Sequence, residues 1–246
     1  MELLLPQILL DLIEKKRFGV EYQPIIDMEN QDIFGYESLS RFFTHSNKPI
    51  RPDIVYASLH SSPLSLFQVE YEQKLIQLSS APDCERIFIN LDQDSYFASG
   101  DSGVNNSFLK LFNSYPKHCI TVELIENSEI NDAKMSLKMI ENLSLNKIQT
   151  ALDDVFGPLS MLSFEVLQLV DYVKLDKYVI RNKDDKEFMA LVQSIVDYAH
   201  LSGKKTILEG VESKNDLAIA AQLNVDYVQG FLYKDHFINV FQGSSD

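Results

Sequence analysis

Tyr172-Val173-Lys174-Leu175, Asp184 to Leu201 (DDKEFMALVQSIVDYAHL), Thr206-Ile207-Leu208, Ser213 to Leu223 (SKNDLAIAAQL) and Tyr227-Val228-Gln229-Gly230-Phe231 follow one another with little chain between them. The short runs are β-branched and aromatic and read as strands, while the longer segments repeat their apolar residues at helical spacing. The first helix has acids at its start and Gly203-Lys204-Lys205 after its end, as the helix dipole and a C-terminal cap prefer. The second opens on a Ser or Asn cap. Strand, helix, strand, helix at this length argues for parallel strands with helices outside.

The same alternation extends upstream. Val20–Ile26, Ile33–Leu39, Ile87–Leu91, Ile120–Leu124 and Gln149–Leu152 read as strands, and Leu64–Leu78, Asn131–Leu145 and Pro158–Val170 as helices. Eight strands point to an α/β fold of the closed (β/α)8, TIM-like kind. Only Asp27–Asp32 separates the first two strands, so they should form an antiparallel hairpin, giving the barrel one antiparallel strand. An open doubly wound sheet is the other α/β solution, but no G-x-G-x-x-G follows the first strand. No Pro/Gly/Ser linker interrupts the chain, so residues 1–246 read as a single barrel domain. Residues 1–18 would form an N-terminal helix packing on it through Leu4, Leu5, Ile8, Leu9, Leu12 and Ile13.

Composition narrows the function. Lys and Arg number 22 and Asp and Glu 36 in 246 residues, a net charge of −14, with 45% hydrophobic residues. Such a chain buries a sizeable core and is a poor partner for a nucleic-acid polymer, whose phosphates need clustered Lys and Arg. It leaves room for small anions whose charge is met by metal ions. The N-terminus lacks a basic signal-peptide region, and no stretch is long enough for a membrane span, so a cytoplasmic protein is expected. Cys84 and Cys119 form no metal or redox spacing, and Cys119, opening an apolar run, is expected to be a buried thiol. The histidines (His45, His60, His118, His200, His236) show no ligand spacing and read as structural or surface residues.

The strand ends carry the chemistry. Gln23 belongs to the first strand, Glu37 and Arg41 to the second, and Asn90 ends the third. Glu123 and Glu126 follow at the fourth, Asp153-Asp154 at the fifth, Lys174 and Asp176 at the sixth, Glu209 at the seventh and Gln229 at the eighth. A single acid after a strand is usually a helix cap or a solvated loop residue. Asp153-Asp154 could cap the next helix, and Lys174 could pair with Asp171 or Asp176 on the rim. Repetition over successive strands is what independent capping would rarely produce. In a parallel barrel these ends share one mouth, and acids and an amide without His or Cys form a hard-oxygen set suited to Mg²⁺ or Mn²⁺.

Gly35-Tyr36-Glu37-Ser38-Leu39-Ser40-Arg41 resembles the signature segment of EAL domains, bacterial phosphodiesterases for cyclic di-GMP, with Ser38 in place of alanine. The resemblance continues in order through Tyr22-Gln23-Pro24-Ile25, Ile89-Asn90-Leu91, Glu123-Leu124-Ile125-Glu126, Asp153-Asp154, Asp171 to Asp176, Glu209-Gly210-Val211-Glu212 and Gln229-Gly230-Phe231. It implies a two-metal site for Mg²⁺ or Mn²⁺. Glu37, Asn90, Glu123 and Asp153 would hold one ion, and Asp153 would bridge to a second held by Asp154 and Glu209. Lys174 would position the attacking water, Glu209 relay a proton, and Gln229 lie near the metals or the substrate. Gln23, Arg41 and Asp176 would serve the ligand, with Arg41 on a phosphate, and Glu126 would anchor the loop after the fifth strand. The reaction implied is hydrolysis of cyclic di-GMP to linear pGpG, by a protein expected to be a homodimer.

That loop departs from the family pattern. Where the family usually reads D-D-F-G-T-G-Y-S-S-L, this chain reads Asp153-Asp154-Val155-Phe156-Gly157-Pro158-Leu159-Ser160-Met161-Leu162. Proline cannot adopt the positive φ open to glycine, so the loop must follow another path. A catalytically weak or inactive domain that binds cyclic di-GMP or a protein is therefore the alternative to an enzyme. A lyase using Lys174 as a Schiff base is a third reading, and the crowd of acids speaks against it.

Overall fold

The computed structural model describes residues 3–84, 86–100, 103, 105–125, 130–158 and 160–241. In order the elements are α1 (Pro6–Glu14), β1 (Phe18–Asp27), β2 (Ile33–Phe43), β3 (Pro49–Ile50), α2 (Pro52–Leu59), α3 (Pro63–Ser79), β4 (Arg86–Asn90), α4 (Gln93–Ala98), α5 (Ser107–Asn113) and β5 (Cys119–Ile125). Then come α6 (Ile130–Leu145), β6 (Gln149–Val155), α7 (Phe164–Leu169), β7 (Tyr172–Leu175), α8 (Tyr178–Arg181), α9 (Lys186–Leu201), β8 (Lys205–Leu208), α10 (Lys214–Leu223), β9 (Tyr227–Val228), a 3-10 turn (Phe231–His236) and β10 (Ile238–Phe241).

Strands β1, β2, β4, β5, β6, β7, β8 and β9 pair in that sequence, and β9 returns to β1, closing an eight-stranded barrel. β1 is antiparallel to both barrel neighbours, whereas β2 and β4 through β9 run parallel around the rest. The hairpin inferred from its short polar connection is therefore the barrel's irregularity. β3 and β10 extend β2 and β1 beyond the closed ring.

The barrel strands are mostly buried on both faces, one toward the barrel axis and one under helices, so they read as largely apolar runs interrupted by polar residues toward the mouth. Val173 and Leu175 face the helical layer, while Tyr172 and Lys174 face the axis, following the two-residue period of a strand. Helix caps are local: Ser213 accepts from the Asp216 N–H in a capping box at α10, and Asp185 caps α9. α1 is shorter than the expected 1–18 helix and turns Leu9, Leu12 and Ile13 to the core while Leu5 stays exposed.

Three expectations need correction. The helix over Pro158–Val170 begins only at Phe164, because Ser163 is its N-cap and accepts from the Val166 N–H. The last barrel strand stops at Val228, where the chain bends so that Gly230 lies against the backbone of Val211. Cys119 is exposed rather than buried. It shares the inward parity of Thr121 and Glu123, and at the first residue of β5 the inside of the barrel opens to solvent.

Candidate active site

The barrel interior is layered, and the layers follow directly from strand periodicity. One layer consists of Ile25, Phe88, Ala151, Tyr172, Ile207 and Tyr227. Two residues further toward the parallel strands' C-terminal ends lie Asn90, Asp153, Lys174, Glu209 and Gln229, on the same faces of their strands. In β1 the direction is reversed, so Gln23 lies two residues before Ile25. Six of the eight barrel strands thus switch from an apolar or aromatic interior residue to a polar one at the same height, and Glu37 of β2 and Glu123 of β5 join that polar layer.

Lys174 stands at the centre with no exposed surface. Its Nζ lies 2.6 Å from Glu123, 2.7 Å from Glu209, 2.9 Å from Asp153 and 3.6 Å from Glu37. It does not pair with Asp171 or Asp176 on the rim; Asp171 accepts from the Thr150 N–H, and Asp176 from the Tyr178 N–H. Asn90 donates to Glu37 and Glu123, at 3.1 and 3.0 Å, and Gln229 donates to Glu37. Gln23 reaches this ring through a long contact to Gln229, 3.4 Å.

One ammonium faces more acid than it can neutralise. Burial alone would lower Lys174, but Asp153, Glu123, Glu209 and Glu37 outweigh it and hold the ammonium well above its usual range. Burial and then repulsion from Glu37 push Glu123 well up, and burial raises Asp153 despite Lys174. Glu209 is pushed up to about 8 by burial, with Lys174 only partly opposing it, and Asp154 to about 6 by the low-dielectric wall of the mouth and by Asp153. Glu37 differs: burial pushes it up, yet Lys174 and the Gln229, Glu123 and Asn90 hydrogen bonds prevail and hold it below the usual range.

The donor set fits divalent cations. Ligand-capable oxygens of Glu37, Glu123 and Asp153 lie within 4.8 Å of one another, as do those of Asp153, Asp154 and Glu209, and Asp153 belongs to both groups. Lys174 Nζ, Glu123 Oε1 and Asp153 Oδ1 approach closely but lack a hydrogen-bond partner, so the contacts are ionic and out of line. Buried carboxylate oxygens with charge nearby and no directed donor are what a metal would complete. A third such group, His60, Asp92 and Asp94, lies outside the barrel.

A β-bulge aims the paired aspartates. Leu152 pairs with Val173 and Val155 with Leu175, so β6 carries one more residue than β7 across this step. The extra residue turns Asp154 into the left-handed region at φ 55°, and both carboxylates open toward the mouth. Phe156 then also takes a positive φ, 70°, and its ring packs edge-on against Phe188 of α9. The loop thus holds two non-glycine residues in a region that glycine reaches without strain.

Arg41 is held by Glu21, with Nη2 2.7 Å from the carboxylate, and Gln23 donates to the same Glu21 oxygen at 2.8 Å. Sequence reasoning missed Glu21, whose signal was its inward parity with Gln23 on β1. A cavity of about 300 Å³ opens above the acids, and Leu39, Lys177, Glu212 and Phe231 line it beside the expected residues. Glu126 lies outside the described residues.

Comparison with known proteins decides the family: residues 7–235 match the EAL domain. The chain belongs to the EAL domain family. It is 28% identical over 229 residues to the probable cyclic di-GMP phosphodiesterase PdeB of Escherichia coli, covering 91% of this chain and 43% of that protein. It is 27% identical over 231 residues to the cyclic di-GMP phosphodiesterase PdeL of the same organism, covering 90% of this chain and 63% of that one. Among solved structures, the EAL domain of FimX from Pseudomonas aeruginosa bound to c-di-GMP superposes with a TM-score of 0.73 at 19% identity, covering 92% of this chain and 93% of that one. This EAL domain therefore shares the barrel with that structure, and it spans less than two thirds of the curated relatives' length. Among the described residues no helix is long and apolar enough to cross a membrane.

Proposed function

We propose that this EAL domain is a cytoplasmic, divalent-metal-dependent phosphodiesterase that opens cyclic di-GMP to linear pGpG. The observation that carries the reading is the crowd of buried carboxylates around Lys174 at the mouth, which one ammonium leaves under-neutralised. Glu37, Asn90, Glu123 and Asp153 would hold one ion, and Asp153, Asp154 and Glu209 a second. When bound, two Mg²⁺ or Mn²⁺ ions would supply Lewis acidity for the water and for the phosphodiester.

The chain's own groups do the rest. Lys174 orients the attacking water by donation from Nζ, and Glu209 relays the proton the water loses toward the leaving 3′ oxygen. In-line attack forms one P–O bond and breaks one ring ester, so a linear dinucleotide leaves. Arg41, pre-oriented by Glu21, meets a phosphate, and Gln23, Gln229 and Asp176 bound the ligand. Glu126 is proposed to anchor the loop after β6. An acidic chain that grips cations which in turn grip phosphate is compatible with a nucleotide ligand and a poor fit for a nucleic-acid polymer. Homodimerisation without membrane association completes the proposal.

The test is direct. Purified protein with cyclic di-GMP and Mn²⁺ or Mg²⁺ is expected to yield pGpG by mass spectrometry, and Glu37→Ala to abolish it. A folded protein with no turnover in either metal would sink the enzyme reading. The second reading, a binding module, is favoured by the positive φ of Asp154 and Phe156 in the divergent loop. Calorimetry showing tight binding of cyclic di-GMP without product would select it.

A further inference from the structure

Helix α3 buries a stripe that ought to be apolar. Glu70, Gln73, Lys74 and Gln77 recur at i, i+3, i+4 and i+7, and none exposes more than 2% of its surface. They face β2 and the chain leaving β4. Gln77 donates to the Ser38 carbonyl at 3.0 Å and to the Ser40 hydroxyl at 3.3 Å. Glu70 takes the Asp92 N–H at 3.2 Å and the Tyr56 hydroxyl at 2.6 Å, and Lys74 neutralises it from 3.0 Å.

The geometry has a cause in the barrel. β2 pairs with β4 only from Tyr36 to Ser38, so beyond that point the edge of β2 facing α3 has no barrel strand to bond. α3 supplies side chains in place of the missing ladder. Ser38 follows Glu37 by one residue, and Asp92 follows Asn90 by two. Gln77 and Glu70 are two helical turns apart, about 10.5 Å along one rigid axis. One helix therefore grips both the strand carrying Glu37 and the segment leaving Asn90, side chains that meet at 3.1 Å inside the barrel.

We propose that Glu70 and Gln77 are positioning residues that set the spacing of Glu37 and Asn90 and thereby the affinity of the site for a divalent cation. The proposal rests on the metal reading above. Buried ion pairs are weak sources of stability, and apolar substitutes of similar volume are often neutral or better. Gln73 Oε1 and Gln77 Oε1 are even left without partners. Stability alone is thus a poor account of this stripe, whereas orienting partners of metal ligands typically govern affinity by ten- to a hundredfold.

The experiment compares two charge-free double variants of the full chain by Mn²⁺ calorimetry, with thermal melts of the metal-free proteins. Glu70→Gln with Lys74→Met keeps an acceptor for the Asp92 N–H; Glu70→Leu with Lys74→Met removes it. The first is expected to bind Mn²⁺ within about twofold of wild type and the second about tenfold more weakly, at similar melting temperature. Equal affinity in both folded variants overturns the proposal. Should the leucine variant not fold, Gln77→Met carries the same test, and unchanged Mn²⁺ affinity there overturns it. Wild type that binds no Mn²⁺ sinks the metal reading and this inference with it; wild type that binds while both arms bind equally sinks this inference alone.

Discussion

Two cations sit inside the same barrel, and their surroundings are opposite. At the mouth, Lys174 is ringed by carboxylates that repel one another. At the other end, on β4 and two residues below Phe88, Arg86 lies 5.0 Å from the ring centre of Phe34 and 5.6 Å from that of Tyr172, and donates to Gln149 and Thr121. Phe34 stacks on Tyr227 at 4.0 Å, and Phe88 meets Tyr172 edge-on. Packing there is close: a Cβ on Gly35 would stand 2.8 Å from the Arg86 carbonyl oxygen. The bottom satisfies its charge with π faces and neutral acceptors, so it serves stability. The mouth holds repulsion that Lys174 alone leaves unresolved, which agrees with the cation-binding role proposed for it.

Substitutions should separate the two ends. Glu123→Gln at the mouth is expected to lower kcat/KM with cyclic di-GMP by a hundredfold or more, roughly the effect of losing a group that acts in the transition state. The same change should leave the metal-free melting temperature unchanged or raised, because it removes a carboxylate that burial and Glu37 already disfavour. Arg86→Met should do the reverse, costing about 2 kcal/mol, or ~4–8 °C in Tm, with Mn²⁺ affinity retained. If Arg86→Met weakened Mn²⁺ binding as much as it lowered Tm, the two ends would not be independent.

pH offers a smaller handle on the same contrast. Glu209 titrates near 8 in the folded metal-free protein, against roughly 4.3 for a free glutamate. Between those values the folded state binds more protons than the unfolded state, so stability falls as pH rises and the penalty is complete above about 8. Asp154, raised to about 6, acts in the same direction and more weakly because it is exposed to solvent. Metal-free protein should therefore melt higher at pH 5.5 than at pH 8, by several degrees in a chain this size. Saturating Mn²⁺ should reverse the trend, since cations bind the deprotonated ligands. A metal-free protein that melts higher at pH 8 would show that the acids are not strained.

The mouth was legible in the sequence because strand periodicity is local: a strand that ends in a charged residue two positions after an apolar or aromatic inward one announces its own layer. Tyr172 to Lys174 and Ile207 to Glu209 can be read that way without any neighbour. The α3 stripe could not be, since polar residues at i, i+3, i+4 and i+7 look the same whether they face water or a strand edge. Glu21 was hidden for the same reason, its role depending on Arg41 arriving from the next strand. β3 and β10 have two and four residues and owe their existence to pairing partners far along the chain. Cys119 misled because an apolar run fixes parity but not which end of the barrel admits water.

The smallest expected effect tests how much strain the mouth tolerates. Phe156 holds φ at 70°, where a side chain with a Cβ costs about 1–2 kcal/mol that glycine avoids. Against this its ring centre sits 5.6 Å from that of Phe188 at an 81° angle, an edge contact worth about 0.5–1.5 kcal/mol beyond the area it buries. Glycine also adds freedom to the unfolded chain, roughly 0.4–1 kcal/mol against the variant. The strain, edge-contact and unfolded-chain contributions nearly cancel, which leaves the apolar area that the partly buried ring gives up, about 1 kcal/mol, so Phe156→Gly should lower Tm by about 2–4 °C, less than Arg86→Met. A loss above about 8 °C would mean that packing on α9 governs this loop and that strain is secondary. A loss within the expected range would mean that the divergent loop after β6 is held near balance, with its conformation free to answer what binds at Asp153 and Asp154.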